Sequence, residues 1–293
     1  PRRGNVVLVP GHMGSELAAG LRCDPLWIDL PALAQGRLSQ LALAPDGRKE
    51  ASPRAGVVAP NPGRRWYARA MLALRARWNA ECYAWDWRKD LDVAADGLAA
   101  FIRERFAGEP VHLVAHAAGG LVARSLMLRH RDLWEAMQDP GGVAGGRLVM
   151  LGTPSFGSFA TVQLLAGEDR LMELLAACDP RHDLPQLLAI TNTFPGSYQL
   201  LPAPSKLPGS LSALYQADTW PRRAAVSQAQ LDRAWAFHEA LAGAATVSPE
   251  RMVQVAGCGQ PTIVGLGIAG RGEFDYLLSR DGDPRPWSRC RRP

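Results

Sequence analysis

The segment richest in chemistry is Val111-His112-Leu113-Val114-Ala115-His116-Ala117-Ala118-Gly119-Gly120-Leu121-Val122-Ala123-Arg124. An apolar run gives way to small residues and then to a helical pattern, so a strand turns sharply into a helix. A turn of that kind lifts one residue out of strained backbone, the position a serine takes as nucleophile in the pattern G-x-S-x-G. Neighbours must be small because the helix closes tightly on the strand, and Ala115, Gly119 and Gly120 meet that need. The residue at the apex is Ala117, which has no oxygen to attack a carbonyl. Ser125, Ser155 and Ser158 are the nearest hydroxyls. Ser125 lies about 12 Å further along the helix, and the other two follow the next strand.

An apex of this kind needs a sheet to carry it. Asn5-Val6-Val7-Leu8-Val9-Pro10 reads as a fully buried strand opening into the glycine turn Gly11-His12-Met13-Gly14-Ser15. Residues 20–63 are loop-rich, with prolines at 25, 31, 45, 53, 60 and 62. The spacing predicts a helix over 65–79 with Trp66, Ala70, Leu74 and Arg77-Trp78 along its apolar face, then a short aromatic strand over 82–87. A helix over 92–106, apolar through Leu98, Phe101, Ile102 and Phe106, is ended by Gly108. Strands over 111–115 and 147–151 flank a helix over 119–130. This alternation indicates an α/β fold, a mostly parallel sheet with helices on both faces.

Residues 155–248 break the alternation; they read as a helical, proline-rich insertion with segments such as 162–175 and 231–241. A last β unit is expected over 252–256, 262–268 and 273–278. The expected organisation is a core of 1–154 and 249–283, a cap or lid of 155–248, and a tail of 284–293.

Several motifs, in order, are similar to those of the lecithin:cholesterol acyltransferase-like branch of the α/β-hydrolases. Val6 to Ser15 resembles its oxyanion loop, and Leu26-Trp27-Ile28-Asp29 and Tyr83-Ala84-Trp85-Asp86-Trp87-Arg88 resemble its aromatic signatures. His116 to Arg124 is similar to its elbow, and Leu151-Gly152-Thr153-Pro154-Ser155-Phe156-Gly157-Ser158 to the strand end that follows. Together they run from residue 5 to about residue 283. The resemblance implies an α/β-hydrolase with a helical cap, acting on a lipid or acyl-ester substrate through a serine acyl-enzyme, with no cofactor and no metal. It implies an oxyanion hole made by the backbone N–H groups of Met13 and Ala118, with His116, Gly119 and Gly120 supporting the elbow. It makes Asp283, in Arg280-Asp281-Gly282-Asp283, the candidate acid, although Asp-Gly-Asp is equally an ordinary turn.

The general base is missing. In this fold the histidine follows the acid, and none follows Asp283; the six present are His12, His112, His116, His130, His182 and His238. His112 reads as a satisfied core residue, His116 as elbow packing and His238 as a packing or surface residue. With Ala117 at the nucleophile position the chain is expected to be inactive, or nearly so, as a lipase or O-acyltransferase. Two alternatives stay open: a pseudoenzyme that binds a lipid or a protein partner without turnover, and an engineered knockout of an active enzyme. The change at Pro284 to an Arg/Pro-rich run with Trp287 and Cys290 is expected to reflect a truncation or a reading-frame change that leaves a sheet edge bare.

Composition narrows the partners. Hydrophobic residues make up 47% and charged residues 21% of 293, enough for a sizeable core. The net charge of +5 falls to +1 without Arg285, Arg289, Arg291 and Arg292, so overall basicity does not indicate nucleic acid. Cys23, Cys82, Cys178, Cys258 and Cys290 form no C-x-x-C pair, so neither a zinc ribbon nor a disulfide-dense scaffold is indicated. No apolar stretch approaches the roughly 20 residues of a spanning helix, and no signal-peptide core is legible. Contact with a lipid interface remains expected, and the compartment stays open.

Overall fold

The computed structural model describes residues 3–52, 56–106, 109–137, 145–243, 249–279 and 285–286. Two units make up the chain: Pro1–Asp29 with Ser52–Ser155 and Gly243–Ala256, and Leu30–Ala51 with Phe156–Ala242 and Gly257–Pro293.

The first unit is built on parallel strands. β1 (Asn5–Val9) is buried at every residue, as its Val/Leu run requires of a strand covered on both faces. Around it the order is β5-β1-β6-β7-β8, with β5 at Asn79–Cys82, β6 at Val111–His116, β7 at Leu148–Leu151 and β8 at Met252–Val255. All pairings are parallel, with Val7 opposite Leu113, Ala115 opposite Met150 and Leu151 opposite Val255. The short strands β2 (Leu17–Ala19), β3 (Asp24–Trp27) and β4 (Val57–Val58) make a separate antiparallel sheet, the last two of them within the stretch expected to be loop-rich.

Helix Gly119–Arg129 is buried from Gly119 through Met127 and packs beside helix Leu91–Phe106, whose buried face runs Leu91, Ala94, Ala95, Leu98, Ala99, Ile102 and Phe106. Helix Arg64–Arg75 covers β1 and β5 with Tyr67 and Met71, which cluster with Val6, Leu8 and Ala80. The apolar face expected to run through Trp66 is therefore one residue out of phase. Trp66 is 66% exposed, because Tyr67 takes the inward position and its hydroxyl has partners there.

The aromatic run expected as a strand over 82–87 leaves the sheet after Cys82, since its indole N–H groups bond a loop of the same unit instead of a neighbouring strand. Of the three segments expected to close the core, β8 joins the parallel sheet. The other two, β9 (Thr262–Gly270) and β10 (Glu273–Ser279), pair with each other and with β11 (Arg285–Pro286) in the second unit.

That second unit is otherwise helical. The helix expected over 162–175 is two, Ala160–Ala166 and Arg170–Cys178. Gly167 at φ 76° ends the first, and the Asp169 carboxylate caps the second by accepting from Leu171 N–H at 2.7 Å. Leu184–Thr191 starts with a capping box between Asp183 and Gln186, and Gln228–Gly243 follows later. Tyr198, Leu214, Trp220, Leu231, Phe274 and Tyr276 lie in one core cluster of this unit.

Candidate active site

The elbow follows from the local sequence. β6 ends at His116, Ala117 sits at φ 48°, and the helix starts at Gly119. A left-handed alanine costs about 1–2 kcal/mol, so neighbouring structure must hold it. Ala117 N–H donates to Leu151 O at 2.9 Å, and Ala117 O accepts from Gly120 N–H at 3.0 Å. The glycines are required by close approach: a Cβ on Gly119 would strike Val9 O and lie 2.7 Å from Pro10 O, and one on Gly120 would run into the Thr153 side chain.

The loop after β1 lies against this turn. A Cβ on Gly11 would be 3.0 Å from Ala117 Cβ and 3.2 Å from His116 Nδ1. The loop closes on itself through Gly14 N–H to Gly11 O at 3.0 Å, with Met13 at φ 59°. Side chains from other parts of the unit pin it. The Trp27 indole donates to Met13 O at 3.2 Å, and the Trp85 indole to Pro10 O at 2.9 Å. Trp87 Nε1 donates to Ser15 O at 3.1 Å, and the Trp85 backbone N–H to Ser15 Oγ at 3.1 Å. Asp86 and the fully buried Arg88 of the same run form a bidentate pair at 2.9 and 2.7 Å. Among the described residues, the N–H groups of Met13 and Ala118 donate to no acceptor. Two main-chain donors thus stay available beside an elbow.

Tyr67 links loop and elbow, and sequence reasoning missed it. Its hydroxyl accepts from Gly11 N–H at 2.9 Å and lies 2.8 Å from His116 Nδ1. With the phenol donating, His116 carries its proton on Nε2, so it does more than pack. Burial pushes the Tyr67 phenol up and the His116 imidazole down, which keeps both neutral. The one sequence signal for Tyr67 was its place next to Trp66 in a helix whose apolar phase was ambiguous.

His12, in the same loop, has its ring edge-on to Trp87 at 5.2 Å. Burial pushes its imidazole down from 6.5 to about 4, against a hydrogen bond with the Trp87 backbone that favours the proton. Unfolded chain takes up this proton near pH 6.5 and folded chain refuses it until about pH 4, so stability falls between those values as acid is added. The span corresponds to about 3 kcal/mol at most. Urea unfolding at graded pH is expected to show this limb, and His12→Asn to flatten it. A variant that keeps the parent's slope would assign the loss to other groups.

The remaining candidates serve elsewhere. Ser125 Oγ donates to Asp92 at 2.6 Å, and burial raises that carboxyl. The Ser155 carbonyl accepts from Arg124 Nη1 at 3.1 Å, and Ser158 Oγ accepts from Ala160 N–H at 3.3 Å in the second unit. His112 Nδ1 accepts from Arg147 N–H at 3.2 Å and its ring meets Trp78 edge-on. His130 bonds Asp96, His182 bonds Asp179, and His238 is buried. Asp283 and Cys290 lie outside the described residues. Among the described residues no group of His, Cys, Asp and Glu is arranged to hold a metal ion, and no helix is long and apolar enough to cross a membrane.

A cleft of about 490 Å³ reaches Met13 within the same unit. Ser15, Leu17, Ala18 and Trp27 line it, and Cys23 and Trp66 stand on it as exposed residues.

A parallel sheet flanked by helices, with a strand–turn–helix elbow facing the loop after β1, defines an α/β-hydrolase fold. No family model matches the chain, and no curated protein matches it. Among solved structures, the crystal structure of a Tle4–Tli4 complex is similar at a TM-score of 0.50 and 14% identity, covering 87% of this chain and 74% of that one. At that identity the likeness is one of fold. The crystal structure of Bacillus licheniformis lipase BlEst2 in mature form matches at a TM-score of 0.33 and 18% identity, over 65% of this chain and 55% of that one, which is too slight to argue from.

Proposed function

We propose that this chain is an acyl-ester-binding scaffold of the lecithin:cholesterol acyltransferase-like kind that receives a lipid ester at an elbow without a nucleophile and does not turn it over. The observation that carries this reading is Ala117 at φ 48°, beside the uncommitted N–H groups of Met13 and Ala118. Two main-chain amides without acceptors suit an ester carbonyl, whose oxygen gains charge under attack. Met13 and Ala118 are the proposed oxyanion donors; His116, Gly119 and Gly120 support the turn. Alanine in place of serine removes the attacking oxygen while leaving main-chain donors intact, so affinity for an ester is retained where turnover is lost. The apolar wall of Leu17, Ala18 and Trp27 suits an acyl chain. The family motifs in their order support the same reading, with Asp283 as the proposed acid.

Binding without turnover has a direct test. Cys23 is exposed on the cleft, and Cys258 is exposed in the second unit. A long-chain p-nitrophenyl ester at about ten times its Kd is expected to slow alkylation of Cys23 about tenfold and leave Cys258 unchanged. Recovered ester should be intact. Unprotected Cys23, or ester hydrolysed faster than in buffer, would overturn the proposal.

A further inference from the structure

Helix Arg64–Arg75 turns an unusual face outward. From residue 64 to 80 the chain holds Arg64, Arg65, Arg69, Arg75 and Arg77 and no carboxylate. Helical spacing sets Arg65, Arg69, Leu72 and Ala76 along one outer row and Trp66, Ala70, Ala73 and Arg77 along the next, opposite the buried Tyr67 and Met71. Trp66 is 66% and Leu72 71% exposed, and the Arg65 guanidinium lies 5.7 Å from the Trp66 ring centroid. Among the described residues Arg65 and Arg69 pair with no carboxylate. Water is a poor partner for an exposed tryptophan and leucine between unpaired arginines, whereas the boundary of headgroups and acyl chains accepts both.

A second element points the same way. The turn between β2 and β3 carries Leu21 fully exposed, followed by the exposed Arg22. The cleft that reaches Met13 has Arg64, Arg65 and Trp66 on one side and Cys23, Pro25, Trp27 and Ile28 on the other, with Ile28 47% exposed. The carboxylates that line it are Glu16, whose N–H bonds Asn61 just before the helix, and Asp29, while the helix itself contributes Arg64 and Arg65.

We infer that the outer face of helix Arg64–Arg75 docks on an anionic lipid bilayer, with Arg65 and Arg69 at the headgroups and Trp66 and Leu72 inserted at the boundary. The docked unit presents the mouth of the Met13 cleft to the membrane, so an acyl chain passes from lipid to protein without crossing water. The docking rests on the surface alone, and only the passage of the acyl chain rests on the ester reading of the cleft.

The test uses the whole chain and vesicles of phosphatidylcholine alone or with about 30% phosphatidylglycerol. Flotation is expected to show binding to the anionic vesicles at least about tenfold tighter than to the neutral ones, weakening with salt. Arg65→Glu with Arg69→Glu should reduce it by more than about tenfold, since each charge is worth about fivefold near such a surface. Trp66→Ala with Leu72→Ala should lower binding and abolish quenching by brominated acyl chains while leaving the salt dependence. All four positions are exposed, so unchanged thermal melts are expected to accompany these losses. Arg170→Glu with Arg222→Glu makes the same charge change in the second unit and should alter binding by less than about twofold. Equal affinity for neutral vesicles, no vesicle binding, or losses equal in the two charge-reversal pairs would overturn the inference. So would tighter binding of a duplex oligonucleotide that Arg65→Glu with Arg69→Glu abolishes.

Discussion

Ala117→Cys is expected to take one acyl group per chain from p-nitrophenyl butyrate and hold it as a thioester. A thiol has an ordinary pKa near 8.5, so at mildly alkaline pH much of it is already thiolate and needs no general base. On the proposal that the N–H groups of Met13 and Ala118 receive the oxyanion, the thiol at 117 should acylate about a hundredfold faster than an exposed cysteine such as Cys23, because even one such donor is worth about that much. Ala117→Ser is expected to behave otherwise. A hydroxyl must lose its proton to a positioned base, and the imidazole adjacent in sequence, His116, turns Nδ1 toward Tyr67. A triad missing its histidine is about as slow as one missing all its members, so the serine variant should stay within about tenfold of the parent. A burst followed by mass measurement checks the cysteine, and steady-state release checks the serine. Acylation at 117 no faster than at Cys23 would remove the oxyanion assignment. A serine variant roughly a thousandfold above the parent would place a base in the chain.

The second large effect concerns stability. Gly119→Ala is expected to cost about 3 kcal/mol or more, since its Cβ would meet the carbonyls of Val9 and Pro10 and force β1 away from the elbow helix. Gly152 separates this effect from backbone preference. It sits at φ 60° with open space around the missing Cβ, so Gly152→Ala should cost only about 1–2 kcal/mol. Urea midpoints of the two variants give the comparison. Equal costs would mean that the contact with β1 relaxes easily, and that close packing is not what demands glycine at 119.

Much of the core was legible because its signals are local. The apolar runs of β1 and β6 and the small residues around Ala117 are signals between neighbours in sequence, and they carried the elbow without reference to distant chain. Where side chains have two uses, the pattern misled. Trp66 reads as core by composition, yet Tyr67 takes the inward place because its hydroxyl is needed between Gly11 and His116. Trp85 and Trp87 look like strand residues, but their indoles satisfy carbonyls of the loop after β1, which periodicity alone does not register. Gly167 split a helix whose apolar spacing was otherwise continuous. Strands β9 and β10 were expected as strands of the core and instead pair with each other in a separate sheet, because a β pattern does not name its partner strand.

β8 ends the row of parallel strands with Val253 45% and Val255 49% open to solvent. Spaced two apart, these valines share one face of the strand, so among the described residues that face carries a small apolar patch open to water. Two greasy spots of that size invite self-association in crowded preparations, and Val253→Thr with Val255→Thr would keep the branched shape a strand favours while making the face more hydrophilic.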